Sequence, residues 1–176
     1  LQFARIVHYE ASQLANFLRV NFIKGLGRRE TSLKSVHLVV PEANLAQLES
    51  HMPQSGFEYV KGRMIQEGKL TKVKVKYRGD TFYRWAWDKK SLRVKTSKKS
   101  LFEGIRSVNL LAPRTPEQLN NYLSYRLANM MGVLAPRTEL IRLFLNGEDR
   151  GVHTLVEQIK ELTLRNASLM PGDIYR

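Results

Sequence analysis

The residues best suited to bind an anion are cations that alternate with apolar side chains near the middle of the chain. From residue 72 to 78 every second residue is Lys or Arg, and the residues between them are Val, Val and Tyr. Successive residues of a strand point to opposite faces, so the apolar row would face a core and the cations would share the other face. Residues 92–95 repeat this alternation.

Cations on adjacent antiparallel strands can come within reach of one anion, and Lys and Arg are the side chains that bind phosphate oxygens. The spacing therefore predicts a phosphate-binding face built from Lys74, Lys76, Arg78, Arg93 and Lys95. The alternative is a solvated sheet face, or a sheet edge that lysines protect from aggregation. Charge alone leaves both interpretations open.

The overall composition also points to anionic partners. The 176 residues carry 29 Lys and Arg against 16 Asp and Glu, and residues 71–106 hold twelve of those cations and three of the acids. Such a surface attracts phosphates, nucleic acid or anionic lipid. In the same stretch Tyr83, Trp85 and Trp87 would share one side of an extended segment and could stack bases, although covering a core is the commoner role of aromatic residues.

Other classes of site have little support in the sequence. The chain has no cysteine, which excludes disulfides, thiolate metal sites and a cysteine nucleophile. Its four histidines lack the close spacing that binds zinc, and no glycine-rich nucleotide loop or nucleophilic-serine motif occurs. The acidic residues are scattered singly, so no metal site is expected and no catalytic residue is assigned.

The candidate residues need a sheet to position them, and the sequence predicts one made largely of hairpins. Residues 57–65 and 70–78 flank a loop that contains Gly68, and residues 139–145 and 152–159 flank a second loop at 146–151. Shorter strands are expected at 35–40, 91–96 and 108–111. A helix is predicted from Pro116 to Met131, capped by Thr115 and ended by Gly132, with an apolar stripe that faces the core.

These elements predict an α+β fold, with a mostly antiparallel sheet, hairpins and segregated helices. An amphipathic pattern over residues 9–23 predicts a first helix that precedes a connector rich in Gly and Arg. We therefore divide the chain into an N-terminal helix and connector, residues 1–33, and a main region, residues 34–176. No apolar run is long enough to span a bilayer. The chain begins at Leu1 rather than Met, so we expect a processed or excised piece.

Several motifs occur in a fixed order along the main region. They are KVKYRGD at 74–80, KSLRVK at 90–95, NLL at 109–111, YRLA at 125–128 and GVLAPRT at 132–138. The segments LNGEDRGVHTLVE at 145–157 and GDIYR at 172–176 follow. In this order they resemble the opening half of the CotH family, which is named after a spore coat protein and comprises atypical protein kinases that are secreted or associated with the coat.

The resemblance implies a fold like the N-terminal part of an atypical protein kinase, with ATP and Mg²⁺ as cofactors of the whole protein and a protein substrate. It implies that the phosphate-binding cations hold ATP together with Glu157, which would orient a lysine or end a hinge-like strand. The catalytic and metal-binding aspartates would lie beyond residue 176, so this piece is expected to be inactive alone. It also implies an extracytoplasmic location on a bacterial spore or cell surface.

Two other functions remain open on the sequence alone. A binding module would use the cationic segment and Trp85 or Trp87 to hold nucleic acid or another polyanion, and its affinity would depend strongly on salt. A non-catalytic structural component of a spore coat or cell surface would bind neither ATP nor nucleic acid. Titrations with ATP and with an oligonucleotide at two salt concentrations distinguish these functions.

Overall fold

The computed structural model describes residues 32–52, 58–78, 89–113 and 119–170, together with the single residues 11, 15, 172 and 174. The chain divides into two compact units, Leu1–Ser32 and Leu33–Arg176. In the first unit Ala11 and Ala15 are helical, and the rest of the helix predicted at 9–23 lies outside the described residues. The division of the chain by function stays a prediction.

The described residues of the second unit form seven strands and three helices. The strands are β1 (Lys34–Val39), β2 (Val60–Gln66), β3 (Lys69–Tyr77), β4 (Leu92–Thr96), β5 (Ser107–Leu111), β6 (Thr138–Leu145) and β7 (Glu148–Glu157). The helices are α1 (Glu42–Ser50), α2 (Asn120–Met130) and α3 (Glu161–Asn166). None of these helices has the length and apolar character needed to cross a membrane.

The strands close into a barrel in the order β1-β2-β3-β4-β5-β7-β6. Neighbouring strands run antiparallel, except that β1 and β6 pair in parallel and place Val36 opposite Leu143. The predicted α+β fold with segregated helices is therefore wrong, and so is its likeness to the N-terminal part of a kinase. Alternation of apolar and polar residues indicates which face of a strand is buried, but it does not indicate which distant strand it pairs with. The closure of the sheet into a barrel therefore could not be predicted from the local sequence pattern.

Both predicted hairpins are confirmed by the pairing of β2 with β3 and of β6 with β7. Each has a two-residue turn with positive φ at both positions: 47° and 76° at Glu67 and Gly68, and 52° and 87° at Asn146 and Gly147. Such turns match the twist of the flanking strands. The second loop is shorter than predicted because β7 begins at Glu148 instead of near Val152.

The hydrophobic core fills the inside of the barrel with inward-pointing side chains from every strand. Gly62 of β2 lies where strands crowd together, since a Cβ atom there would come within 3.1 Å of both the Val39 carbonyl oxygen and Val40 Cγ2. The most deeply buried apolar side chains are Leu38, Leu48, Leu110, Ile141, Leu143, Leu155, Val36, Val40, Val75 and Val94.

Helix α2 differs from the helix that the sequence predicted at residues 116–131. The helix exists, but its described part begins at Asn120, and residues 114–118, including the predicted cap at Thr115, lie outside the described residues. None of its residues is buried, and Leu123 and Leu127 are 57% and 58% exposed. The expectation that its apolar stripe faces the core is therefore wrong, because the core is already enclosed by the closed barrel.

Candidate anion-binding face

A basic cavity of about 830 Å³ lies on the outer side of β2, β3 and β4. No acidic side chain of the described residues lines this cavity. We call its six cations the cationic face. They are Lys61, Arg63, Lys72, Lys74, Lys95 and Arg106.

The strand register concentrates these charges. Lys74 on the central strand β3 lies directly opposite Lys61 on β2 and directly opposite Lys95 on β4, so three lysines share one rung of the sheet. Arg63 lies opposite Lys72 on the neighbouring outward-facing rung. Like charges directly opposite each other destabilise a sheet. A bound anion would offset this repulsion, so the arrangement favours an anionic ligand.

The structure brings most of the cations predicted from the sequence onto this side of the barrel. Lys74 and Lys95 belong to the cationic face, and Lys76 and Arg93 lie opposite each other two residues further along β3 and β4. Arg93 Nε donates a hydrogen bond of 2.8 Å to Asn109 Oδ1, which fixes the direction of the guanidinium. The interior-facing neighbours Val73, Val75, Leu92 and Val94 are buried.

An aromatic ring lies beside these cations. Lys76 Nζ is 4.9 Å and Lys95 Nζ is 5.9 Å from the centroid of the Tyr59 ring. Tyr59 is 36% exposed, so part of the ring remains accessible to a ligand. Cations stacked on an exposed ring form a surface that can bind a base and a phosphate together.

Arg78 and Glu157 do not line the cationic face. Arg78 directly follows β3 and its backbone N–H donates to the Ser91 carbonyl at 2.8 Å. Glu157 ends β7 opposite the core residue Val108, and Thr163 Oγ1 donates to Glu157 Oε1 at 2.8 Å. The carboxylate of Glu157 therefore holds the start of α3, and among its described hydrogen bonds none comes from a lysine.

Sequence reasoning missed Lys61, Arg63 and Arg106 as members of the face. The pairing of residues around the turn at Gly68 was a usable signal, because it places Lys61 opposite Lys74. Arg106 precedes β5, and its Nε is buried with no hydrogen-bond partner in the part of the chain that the structure describes. The aromatic residues Tyr83, Trp85 and Trp87 lie outside the described residues.

The geometry gives no carboxylate partner for a metal ion at this face. Within the described ranges, no group of three or more histidine or acidic residues could hold a metal ion. The chemistry available at the cationic face is therefore the binding of an anion by ammonium and guanidinium groups.

Comparison with known proteins shows which family the chain belongs to. The family model described as CotH kinase protein matches residues 75–176. The chain belongs to this family. Inner spore coat protein H of Bacillus subtilis (strain 168) is 28% identical over 104 residues, which cover 58% of this chain and 28% of that relative.

The family match begins at residue 75, inside β3, so it includes some of the cations on this side of the barrel and not others. Lys76, Arg93, Lys95 and Arg106 lie within the CotH match, whereas Lys61, Arg63, Lys72 and Lys74 precede it. The chain thus combines cations from the matched CotH region with cations from the preceding hairpin. The fold places them on adjacent strands of one sheet.

Proposed function

We propose that this chain is the phosphate-binding part of a CotH kinase, and that its cationic face holds the triphosphate of ATP. The observation that carries the proposal is the rung of three lysines, Lys61, Lys74 and Lys95, which lies over a cavity with no acidic lining among the described residues. A triphosphate supplies three to four negative charges over a few ångströms. It is therefore matched to a compact group of cations.

Phosphoryl transfer needs more than this face provides. It depends on cations against the phosphates, on Mg²⁺ held by carboxylates, and on a residue that orients the attacking hydroxyl. The described residues supply the first of these. We therefore expect this chain to bind ATP without transferring its phosphate, and we expect Mg²⁺ and the protein substrate to be bound by other parts of a larger protein.

The adenine would lie against Tyr59. The ring is partly exposed, and Lys95 of the cationic face and the neighbouring Lys76 lie over it. Stacking of a base on an aromatic ring contributes about 1–3 kcal/mol. This contribution would favour ATP over inorganic triphosphate at the same face.

A second candidate function is the binding of a linear polyanion such as nucleic acid. It is favoured by the extent of the charge, since outward-facing cations continue along β3 from Lys72 to Lys76 and across three strands. A polyanion would release counterions along this whole length, so the logarithm of its affinity would fall steeply with the logarithm of the salt concentration. ATP covers fewer cations and would show a shallower dependence.

One titration series tests both functions. ATP and a mixed-sequence oligonucleotide are titrated into the full chain at two salt concentrations, and Lys74→Gln/Lys95→Gln is compared with Lys98→Gln/Lys99→Gln. Both variants lose two positive charges, but Lys98 and Lys99 are exposed turn residues outside the face. We expect the first variant to weaken ATP binding about tenfold or more and the second to leave it near the original value. Equal losses in both variants would contradict a specific face.

Membership of the family and the name of the relative support a location as well. We propose that the protein is associated with the spore coat of a bacterium and lies outside the cytoplasm. A fluorescent fusion followed through sporulation tests this. Fluorescence at the periphery of the developing spore is expected, and uniform cytoplasmic fluorescence would contradict the proposal.

A further inference from the structure

A second cavity, of about 210 Å³, lies at one end of the barrel, where β3 ends at Tyr77. We call it the barrel mouth. It shares no lining residue with the cationic face. Its polar and ionisable lining residues are Glu49, Tyr77, Lys89, Lys90, Arg150 and His153.

Three cations converge on the barrel mouth. Lys89 Nζ donates to the Val152 carbonyl at 2.8 Å, which holds the ammonium against β7. Lys90 Nζ lies 5.6 Å from the centroid of the Tyr77 ring. Arg150 Nε is buried and has no hydrogen-bond acceptor among the described residues. An N–H of a charged guanidinium that is buried without an acceptor is costly, and an anion in the mouth would offset this cost by its charge.

Acidic groups near the mouth leave this charge only partly balanced. Glu49 is the acidic residue that lines the cavity among the described residues, and it accepts a hydrogen bond of 3.2 Å from Tyr77 Oη. Glu148 accepts a bond of 2.8 Å from Arg150 Nη2, which leaves the Nε of the same guanidinium unused. Asp149 pairs with Arg142, and its negative charge also acts on Lys89.

The other end of the barrel shows a different balance. There Lys34 pairs with Glu103 and Arg137 pairs with both Glu103 and Glu139. The cations at that end are matched by carboxylates within direct contact. The lining of the barrel mouth instead holds three cations and one carboxylate, and among the described residues Arg150 is the one of the three with a direct carboxylate contact, to Glu148.

We propose that the barrel mouth binds a phosphate-sized oxyanion, with the guanidinium of Arg150 and the ammonium groups of Lys89 and Lys90 as its donors. The excess of positive charge favours a dianion over a monocarboxylate. The ligand is either free phosphate or the phosphoryl group of a larger molecule, because both present the same oxygens. This site is independent of the proposed nucleotide site on the cationic face.

His153 forms the inner wall of the barrel mouth and reports on its occupancy. Its side chain is 1% exposed, and Nδ1 lies 3.2 Å from the Gly151 carbonyl oxygen. Burial and the positive charge of Lys89 lower the pKa of His153 to about 4, so the ring is neutral at about pH 7. A dianion beside Lys89 and Arg150 would change the electric field at this ring and shift its NMR resonances.

The test titrates inorganic phosphate into the full chain at constant ionic strength and follows the histidine resonances by NMR and the affinity by calorimetry. We expect the His153 resonances to move with phosphate while those of His37 and His51, which do not line the mouth, stay in place. Arg150→Gln should weaken binding about tenfold. The matched control Arg165→Gln changes an exposed arginine on α3 and should leave binding unchanged.

A variant that should bind phosphate more tightly completes the test, because misfolding would weaken binding and could not imitate this result. Glu49→Gln removes the carboxylate that lines the cavity and keeps an oxygen that can accept from Tyr77 Oη. It should tighten phosphate binding about fivefold. Unchanged affinity in both Arg150→Gln and Glu49→Gln, or His153 resonances that do not respond to phosphate, would overturn the proposal.

Two further comparisons identify the source of the ligand and separate this site from the nucleotide site. Binding of O-phosphoserine as tightly as phosphate assigns the site to a phosphoryl group on a larger molecule, whereas binding of phosphate alone assigns it to the free ion. The variant Lys74→Gln/Lys95→Gln should retain the phosphate response of His153. That result is expected even if ATP binds nowhere on the chain.

Discussion

His37 and Phe144 stack their rings across the parallel pair that closes the barrel, with centroids 4.5 Å apart and planes 9° from parallel. The guanidinium carbon of Arg142 lies 5.4 Å from the centroid of the Phe144 ring. These contacts lie on the outside of the barrel, where His37 is exposed and Phe144 is half-buried. They add side-chain interactions to the one strand pair that joins β1 to β6 in parallel.

Phe144→Ala should therefore destabilise the barrel at the parallel pair of β1 and β6. Loss of the ring stack and of the cation–π contact is expected to lower the free energy of unfolding by about 1–2 kcal/mol. Urea unfolding followed by circular dichroism measures the loss. Val39→Ala, at a 43% exposed residue of β1, the strand that pairs with β6, is the control and should cost less. Equal costs would show that the stack does not contribute.

Gly62→Ala should be destabilising for a different reason. The added methyl group would lie 3.1 Å from both the Val39 carbonyl oxygen and Val40 Cγ2, and these are parts of a packed strand end rather than a flexible side-chain tip. Overpacking of this kind costs about 1–3 kcal/mol. Gly172→Ala is the matched control, because a Cβ at Gly172 meets no atom within 4 Å. A thermal melt of each variant gives the comparison, and similar melting temperatures would contradict crowding at β2.

His153 should make the protein less stable in acid. Burial, then the charge of Lys89, lower its folded-state pKa to about 4, whereas the unfolded chain has a pKa near 6.5. Between these values the unfolded state binds a proton that the folded state does not, so stability falls as the pH decreases from about 6.5 towards 4. Above about pH 6.5 this group contributes no pH dependence. The full loss is on the order of 3 kcal/mol.

Unfolding by urea at a series of pH values measures this effect. His153→Gln keeps a polar side chain without a titration in this range, so its stability should change less between pH 6.5 and 4. The comparison uses the slope with pH, which remains informative even if the variant is less stable throughout. An identical slope in the two proteins would assign the acid sensitivity to other groups.

The sequence predicts the local parts of this structure better than its long-range parts. The alternation around Lys74 and the turn at Gly68 are properties of neighbouring residues, and both appear in the structure. The pairing of Val36 with Leu143 depends on residues from distant parts of the chain, and no periodicity encodes it. The same limit applies to the candidate site. The cations of β3 and β4 could be predicted from the alternation of apolar and charged residues. Arg106 lies just before β5, outside any alternating pattern, and only the folded chain brings it next to them.

Helix α2 shows how a correct periodicity gave a wrong interpretation, and it provides the last prediction. Its leucines recur at helical spacing, but Leu123 and Leu127 are more than half exposed because the barrel encloses its own core. Leu123→Gln/Leu127→Gln should therefore change the free energy of unfolding of this chain by less than about 1 kcal/mol. Leu110→Ala, inside the barrel at 1% exposure, should cost about 2–5 kcal/mol. Urea unfolding of both variants measures the two free energies of unfolding. If the double variant lost as much stability as Leu110→Ala, the apolar stripe of α2 would be packed against a core, and the prediction would be wrong.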